Sequence, residues 1–468
     1  MIDGLKPYPE YKDSGSRWLG NVPVSWEVRN LRTLIGKRTE RERPDLPLLS
    51  VAREKGVFVR SLTDEDENHN VIPEDLSNYK VARAGNLVIN KMKAWQGSMG
   101  IAPSDGIVSP AYFVFDFGIA DRAFGQALLR SKPYVAHFGQ ASDGVRVGQW
   151  DLSVAGMRQI PVLVPLPAEQ AAIVRFLDWS NGRLERAIRA KRKVISLLNE
   201  QKQSIIHRAV TRGLDPSVPL KPSGIPWLGD IPKLWEVLRL KFVASEIVDC
   251  LHATPRYSAA GTYPAIRTAD IAPGVVHLLK AKKISSKEYA RWTERLEPIE
   301  DDILYSREGE RFGIAACVPA ETRLCISQRM MVFRISSAHY PRFVMWLLNS
   351  GPIYGQALQD VIGAAAPHVN ISTIRNFFLA MPSRDEQKRI TYHIESELRP
   401  IHIAVTRIER EIDLLREYRT RLVADVVTGK LDVREAAMRL PEERPPDTLE
   451  NDADHSDEIE SADEEAIV

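Results

Sequence analysis

One short segment occurs twice in this chain, and the fold has to accommodate both copies. Residues 14–28 read SGSRWLGNVPVSWEV and residues 223–237 read SGIPWLGDIPKLWEV, an offset of 209. Two tryptophans (Trp18/Trp227 and Trp26/Trp235), two glycines and a proline keep their spacing between the copies. A second pair of echoes follows at an offset of 217: PLPAEQAAIVRFLD (165–178) with PSRDEQKRITYHIE (382–395), and AVTRGLD (209–215) with VVTGKLD (426–432). The second copy therefore carries about eight more residues between its markers. A repeat on this scale means duplicated structural units. The stretches between the markers, roughly 35–150 and 245–368, share no convincing sequence similarity. The expected order is frame, variable module, frame, variable module.

The segments that close each copy carry a heptad. Val174, Asn181, Ile188, Ile195, Lys202 and Ala209 fall on one core position, and Leu177, Leu184, Lys191, Leu198 and Ile205 on the other. At an offset of 217 the second segment gives Thr391, Leu398, Val405, Ile412, Arg419 and Val426, with Ile394, Ile401, Ile408, Leu415 and Leu422. Apolar residues sustained at every seventh position predict a coiled-coil seam. Each helix is expected to span about 35–45 residues, roughly 50–65 Å. The simplest packing is one against the other, antiparallel about a pseudo-dyad. Asn181-Gly182 and Pro400 fall at nearly matching places and predict a kink or break in both helices.

The modules read as mixed α/β. In the first, 86–91, 107–117 and 157–165 are expected strands, and 124–138 an expected helix ending near Pro133. In the second, 302–309, 314–319 and 330–336 are expected strands and 341–351 a helix. The element order matches, so the modules are expected to share a fold. The fold class is thus α/β (α+β), two mixed modules separated by two long antiparallel coiled-coil helices in a pseudo-two-fold duplication. The expected boundaries are 1–165 and 214–382 for the modules, 166–213 and 383–435 for the helices, and 436–468 for a tail.

The net charge of +1 conceals a division. Residues 441–468 hold twelve acids against Arg444 alone, a charge of −11, so the remaining body carries +12 from 62 Lys and Arg against 50 Asp and Glu. Such a body suits a polyanion such as DNA. The acidic tail has almost no large apolar residue and reads as a disordered, solubilising appendage. No run of about 18 uncharged apolar residues exists, so no spanning helix is expected, and the N-terminus lacks the apolar stretch of a secretory signal. Three cysteines, Cys250, Cys317 and Cys325, fit a reduced, cytoplasmic protein rather than a disulfide framework.

No catalytic apparatus is apparent. The only Pro-Pro, Pro445-Pro446, lies in the acidic tail, away from any loop that could hold a flipped base. No glycine-rich loop follows a strand and opens a helix. Glu-x-Lys at Glu200/Lys202 and Glu386/Lys388 lies on the helical segments without the acidic strand partner of a nuclease. Cysteine and histidine spacing fits no zinc site, so no metal or cofactor is expected in this chain.

What remains are basic, glycine-punctuated turns. INKMKAWQGSMG (89–100) offers Lys91, Lys93, Trp95, Gln96 and Ser98, and a second turn, 143–146, offers Arg146. YSREGERFG (305–313) offers Ser306, Arg307, Glu308, Glu310 and Arg311, and ISQRMM (326–331) offers Gln328 and Arg329. Arg and Lys pair with guanine edges, Gln with adenine and Ser with either, so these sets suit major-groove readout. Taken singly, each is better read as a solvated charge or a phosphate contact; it is as sets that they point to base readout.

This organisation resembles the specificity subunit of type I restriction–modification systems. The likeness is carried by SGxxWLGxxPxxWEV (twice), P-x-x-EQ opening a long helix (twice) and VTxGLD/VTGKLDV closing it, with NKMKAWQGSMG, GIVSPAY, ILYSREGERFGIAA and SQRMM inside the modules. It covers residues 11 to about 435. The resemblance implies a cytoplasmic, prokaryotic, non-catalytic chain whose two target recognition domains each read half of a split, asymmetric site in double-stranded DNA. It implies that the helices fix the spacer and dock two modification subunits that methylate adenine with S-adenosylmethionine. Restriction subunits, using ATP and Mg, are implied as further partners. A duplicated coiled-coil scaffold without DNA contact is the competing reading, and an enzyme that both reads and modifies DNA a third.

Overall fold

The structure, a computed structural model, describes residues 5–53, 55–60, 75–144, 150–309, 311–359 and 368–441. Arg146 and nearly all of the acidic tail lie outside them. The chain divides into two compact units, one formed by 1–187 with 414–468 and the other by 188–413.

The first unit is built on a four-stranded antiparallel sheet in the order Ile35–Arg38, Tyr112–Phe117, Leu87–Asn90, Met99–Ile101. Every residue of Leu87–Asn90 is buried because both faces of the strand are covered. Leu87 and Ile89 enter one core with Phe115, Phe117 and Phe124, while Val88 enters another with Leu49, Val51 and Val57. This is the two-residue alternation of a strand applied to two cores. Asp121 caps the helix Arg122–Leu129, its carboxylate accepting from the backbone N–H of Ala123 and Phe124 at 2.9 and 3.1 Å.

The second unit repeats this plan. Its sheet runs Ala244–Asp249, Met330–Ile335, Ile303–Ser306, Ala315–Cys317, the same order with a different sequence. Ile303 and Tyr305 face one core and Leu304 another. In each unit a strand of the WEV motif pairs antiparallel with the strand that precedes a long helix. Glu27–Asn30 pairs with Pro161–Val164, and Glu236–Arg239 with Phe378–Met381, in the same register. The two modules share one fold.

Two long helices, Pro167–Arg212 and Arg384–Val427, contribute to both units. Inside the first unit Glu185 meets Arg419 at 3.4 Å, and Leu177 shares a core with Leu422 and Val426. Inside the second, Lys191 meets Glu411 at 2.5 Å, and Leu198 and Ile205 pack on the core that holds Leu398 and Ile401. The pairing is antiparallel in each.

Several local expectations are corrected. The expected helix 124–138 is two helices, Arg122–Leu129 and Lys132–Gln140, and Pro133 opens the second rather than ending the first. A proline's fixed φ and missing N–H suit a first helical turn. Strand 107–117 is divided by Ser109-Pro110 into Gly106–Val108 and Tyr112–Phe117. Segment 157–165 ends the short helix Val154–Arg158 before the strand Pro161–Val164 begins. Neither long helix is broken: one runs through Asn181-Gly182 and the other through Pro400. A proline inside a helix costs about 3 kcal/mol, but Ile394, Leu398 and Ile401 are buried around it at about 1.5–3 kcal/mol each. Pro400 itself is exposed, so water can solvate the carbonyl it leaves without a donor.

Candidate nucleic-acid interface

At one end of each four-stranded sheet, three segments meet in the same way. In the first unit Asn90 pairs with Tyr112, the Lys91 N–H donates to the Ala111 carbonyl at 3.4 Å, and the Leu152 N–H donates to the Lys91 carbonyl at 3.0 Å. In the second, Ser306 pairs with Met330, the Arg307 N–H donates to the Arg329 carbonyl, and the Val369 N–H donates to the Arg307 carbonyl, both at 3.1 Å. Lys91 and Arg307 are therefore equivalent positions, as are Ala111 and Arg329. The backbone repeats while the side chains differ.

In the first unit Lys91 is held by Asp151, Nζ to Oδ2 at 2.5 Å. Lys93 is exposed and opens the single turn Ala94–Gln96, which Gly97 closes at φ +88°, a conformation open to glycine. Gln96 is half-buried on that turn, and Ser98 is buried behind it. Trp95 and Trp150 lie with ring centroids 5.2 Å apart beside these residues. Lys80 supports the neighbouring turn, donating to the carbonyls of Pro110 and Tyr112 at 2.7 and 2.5 Å. Burial, with Arg41, Lys37 and Lys91 nearby, pushes its ammonium below the ordinary lysine range.

In the second unit Ser306, Arg307, Gln328 and Arg329 come together, but not equally exposed. Ser306 is fully buried. Arg307 is 7% exposed, its guanidinium between Glu308 Oε1 at 2.5 Å and Asp249 Oδ1 at 3.4 Å. Gln328 and Arg329 are exposed at the tip of the turn, and Arg329 holds a positive φ of 71°. The Thr254 hydroxyl donates to Gln328 Oε1 at 3.4 Å. Arg311 stands apart, its guanidinium donating to the carbonyls of Thr268 and Ile271 at 3.2 and 2.7 Å. Asp151, Asp249 and Trp150 are the members of these sites that sequence reasoning missed. Trp95 and Glu308 stand within the basic turns themselves; Asp151, Asp249 and Trp150 lie far off in sequence and carried no local signal.

The repeated frame motifs anchor the helices. The Trp26 indole donates to Glu169 Oε1 at 2.9 Å, and the Trp235 indole to Glu386 Oε1 at 3.1 Å. Beside each glutamate a glutamine bridges two backbones. Gln170 accepts from the Asp121 N–H and donates to the Pro165 carbonyl; Gln387 accepts from the Tyr340 N–H and donates to the Pro382 carbonyl. The EQ pair thus ties the start of a long helix to the WEV strand and to the head of a module helix. Glu386, a member of a Glu-x-Lys pair, has its carboxylate on an indole.

All the seam residues face inward or partly inward. Leu177, Ile188, Ile394, Ile401 and Leu422 are buried, and Leu184, Ile195, Leu198, Ile205, Ile408 and Leu415 are half-buried. Among the polar seam members, Lys191 and Arg419 are ion-paired, and burial lowers the Lys202 pKa against the opposing charge of Glu409. The three cysteines are free, and burial pushes each thiol up, Cys325 to about 12, which leaves them poor nucleophiles. No helix among the described residues is long and apolar enough to cross a membrane.

No family model matches the chain. It is 22% identical over 293 residues to the type I restriction enzyme MjaVIII specificity subunit of Methanocaldococcus jannaschii, a match covering 58% of this chain and 63% of that protein. The chain thus spans less than two thirds of the curated relative's length. Among solved structures, a chain from work on complex assembly and conformational transition of the type I R-M system matches at TM-score 0.60 and 13% identity, covering 87% of this chain and 98% of that one. The HsdS subunit of Thermoanaerobacter tengcongensis matches over 87% of this chain and 98% of its own, at 16% identity and TM-score 0.42. In fold the chain is similar to a component of a type I restriction–modification system, and in sequence it resembles the specificity subunits of that family.

Proposed function

We propose that this chain is the non-catalytic, DNA-reading specificity subunit of a type I restriction–modification complex. One observation carries the reading: two units of identical sheet order present different side chains at the same end of the sheet. Lys93 and Gln96 occupy that end in one unit, Gln328 and Arg329 in the other. A duplicated backbone with diverged polar tips suits a protein that reads two unlike half-sites. Phosphate contacts set register and base-edge contacts select sequence.

In this reading Arg307, Lys91, Ser98 and Ser306 support the reading turns from within, while Arg311 braces a loop. The domains are a recognition module over 1–165, a helix over 166–213, a second module over 214–382 and a helix over 383–435, followed by the tail. The helices set the spacer between half-sites and dock two modification subunits. S-adenosylmethionine, ATP and Mg belong to the modification and restriction partners, and the assembly works on cytoplasmic DNA.

A gel-shift assay with the purified chain, alone and with its methyltransferase partner, tests the proposal. Sequence-selective binding to a duplex with a bipartite site is expected. Partner binding without any DNA shift would leave a coiled-coil scaffold. Methyl transfer by the isolated chain would make it an enzyme.

A further inference from the structure

Beside the reading turn of the second unit lies a group of cations that form no ion pair among the described residues. Lys282 and Lys283 sit on the strand Lys282–Ile284, and Lys287 and Arg291 on the helix Ser286–Trp292 that follows it. Arg256 precedes Tyr257, which bridges to Ile284 of that strand. All five are exposed, and none forms an ion pair among the described residues. Lys287 and Arg291, four apart, share one face of the helix.

The acid on that helix, Glu288, is hydrogen-bonded to an indole and a backbone amide. Glu288 accepts from the Trp292 indole at 2.9 Å and from the Arg256 N–H at 3.2 Å. The indole hydrogen bond, chiefly, holds its carboxyl below the usual range. Arg291 and Arg256 lower it further through their charge, so these two cations are partly compensated by Glu288, whereas Lys282, Lys283 and Lys287 form no ion pair among the described residues.

Contacts link this group to the reading turn. The Lys282 ammonium lies 5.1 Å from the Tyr257 ring centroid, and the Tyr257 hydroxyl is 3.4 Å from the Ser327 hydroxyl, next to Gln328. Thr254, two residues before Arg256, bonds Gln328 itself. The basic strand and helix therefore continue from the turn through Tyr257 and the 254–257 segment.

We infer that Arg256, Lys282, Lys283, Lys287 and Arg291 form a phosphate-binding ledge that holds the DNA backbone next to the half-site read by Gln328 and Arg329. The inference rests on the DNA-reading proposal above. Exposed cations carried on a strand and the helix that follows it suit a regularly spaced polyanion, whereas base selection falls to the neighbouring turn. The ledge raises affinity without choosing sequence.

The test uses the full chain and a duplex carrying its site, with an unrelated duplex as control, titrated at several salt concentrations. The variant K282Q/K283Q/K287Q is compared with K282R/K283R/K287R, which keeps the charge. In the glutamine variant the slope of log affinity against log salt should fall by about 0.9 for each phosphate no longer neutralised, approaching three in all. Its affinity should drop equally on both duplexes, and hydroxyl-radical protection of backbone beside the half-site should disappear. The arginine variant should keep slope and footprint. If the wild type binds steeply with salt and the glutamine variant keeps its slope and footprint, the ledge does not touch DNA, although the chain does. A changed sequence preference would make these residues base readers and overturn the phosphate role. If the wild type shows no salt-dependent binding, the DNA-reading proposal fails and the ledge with it.

Discussion

Trp26 is fully buried and its indole N–H is bonded to Glu169, 143 residues further along the chain, at 2.9 Å. Trp235 and Glu386 repeat the bond in the second unit. A buried donor with one acceptor makes that acceptor costly to lose. Glu169→Ala should destabilise the first unit by about 1–3 kcal/mol. Trp26→Phe in that background should cost less than it does alone, because no indole is then stranded. A double-mutant cycle by urea denaturation measures this; additive effects would show that the bond has no net role.

The two reading turns should be separable. Lys93→Ala or Gln96→Ala should relax selection at one half-site, and Gln328→Ala at the other. Removing a bidentate pairing to a base costs about 1–3 kcal/mol. Arg307→Ala should behave differently, lowering thermal stability by leaving Asp249 and Glu308 in a buried site without their cation. Binding-site selection on each variant, with melting curves, distinguishes these outcomes.

An insertion in the first long helix tests the ruler. Four residues near Glu200, between the Leu198 and Ile205 layers, add about 6 Å and nearly one turn, which roughly keeps the apolar face. The preferred spacer should lengthen by one or two base pairs at about 3.4 Å each, with both half-sites unchanged. Methylome mapping of cells carrying the variant reads the spacer directly. Unchanged spacing with full activity would mean that the partner subunits position the modules.

His339 gives the second unit a pH dependence. Burial lowers its pKa from the ordinary 6.5, so the fold favours the neutral ring. The unfolded chain takes up the proton first as pH falls. The associated stability is present above about 6.5 and is lost as pH drops towards the lowered folded value. His339→Gln should flatten the decline in denaturation midpoint between about pH 7 and 5. An unchanged slope would assign the decline to other groups, of which His137 and His402 are shifted the same way by burial.

Some of this was legible because it depends on periodicity. The Leu177–Leu184 and Ile394–Ile401 spacings state which side of a helix is covered, whatever covers it. The doubled WEV and EQ motifs announced two equivalent frames, although nothing local said that an indole and a carboxylate would meet. Legibility ended where a side chain's environment depends on residues distant in sequence. Arg307 reads as a free basic residue in YSREGERFG, and only folding brings Asp249 beneath it. Pro133 and Pro400 were overread for a related reason: a breaker's effect depends on its position in the turn and on the packing around it. Pro133 begins a helix, and Pro400 sits among buried seam residues.

The first unit draws its core from both ends of the chain, since Leu422, Val426, Val427 and Val433 pack with Trp26 and Phe176. The second is contiguous from 188 to 413. During synthesis, then, the later half of the chain has all its core residues before the earlier half does. The N-terminal module leaves the ribosome first and is completed last, when the closing stretch of the second helix emerges. A ribosome that stalls before residue 414 leaves a nascent chain with its first hydrophobic core still open, a species for chaperones to hold or proteases to clear.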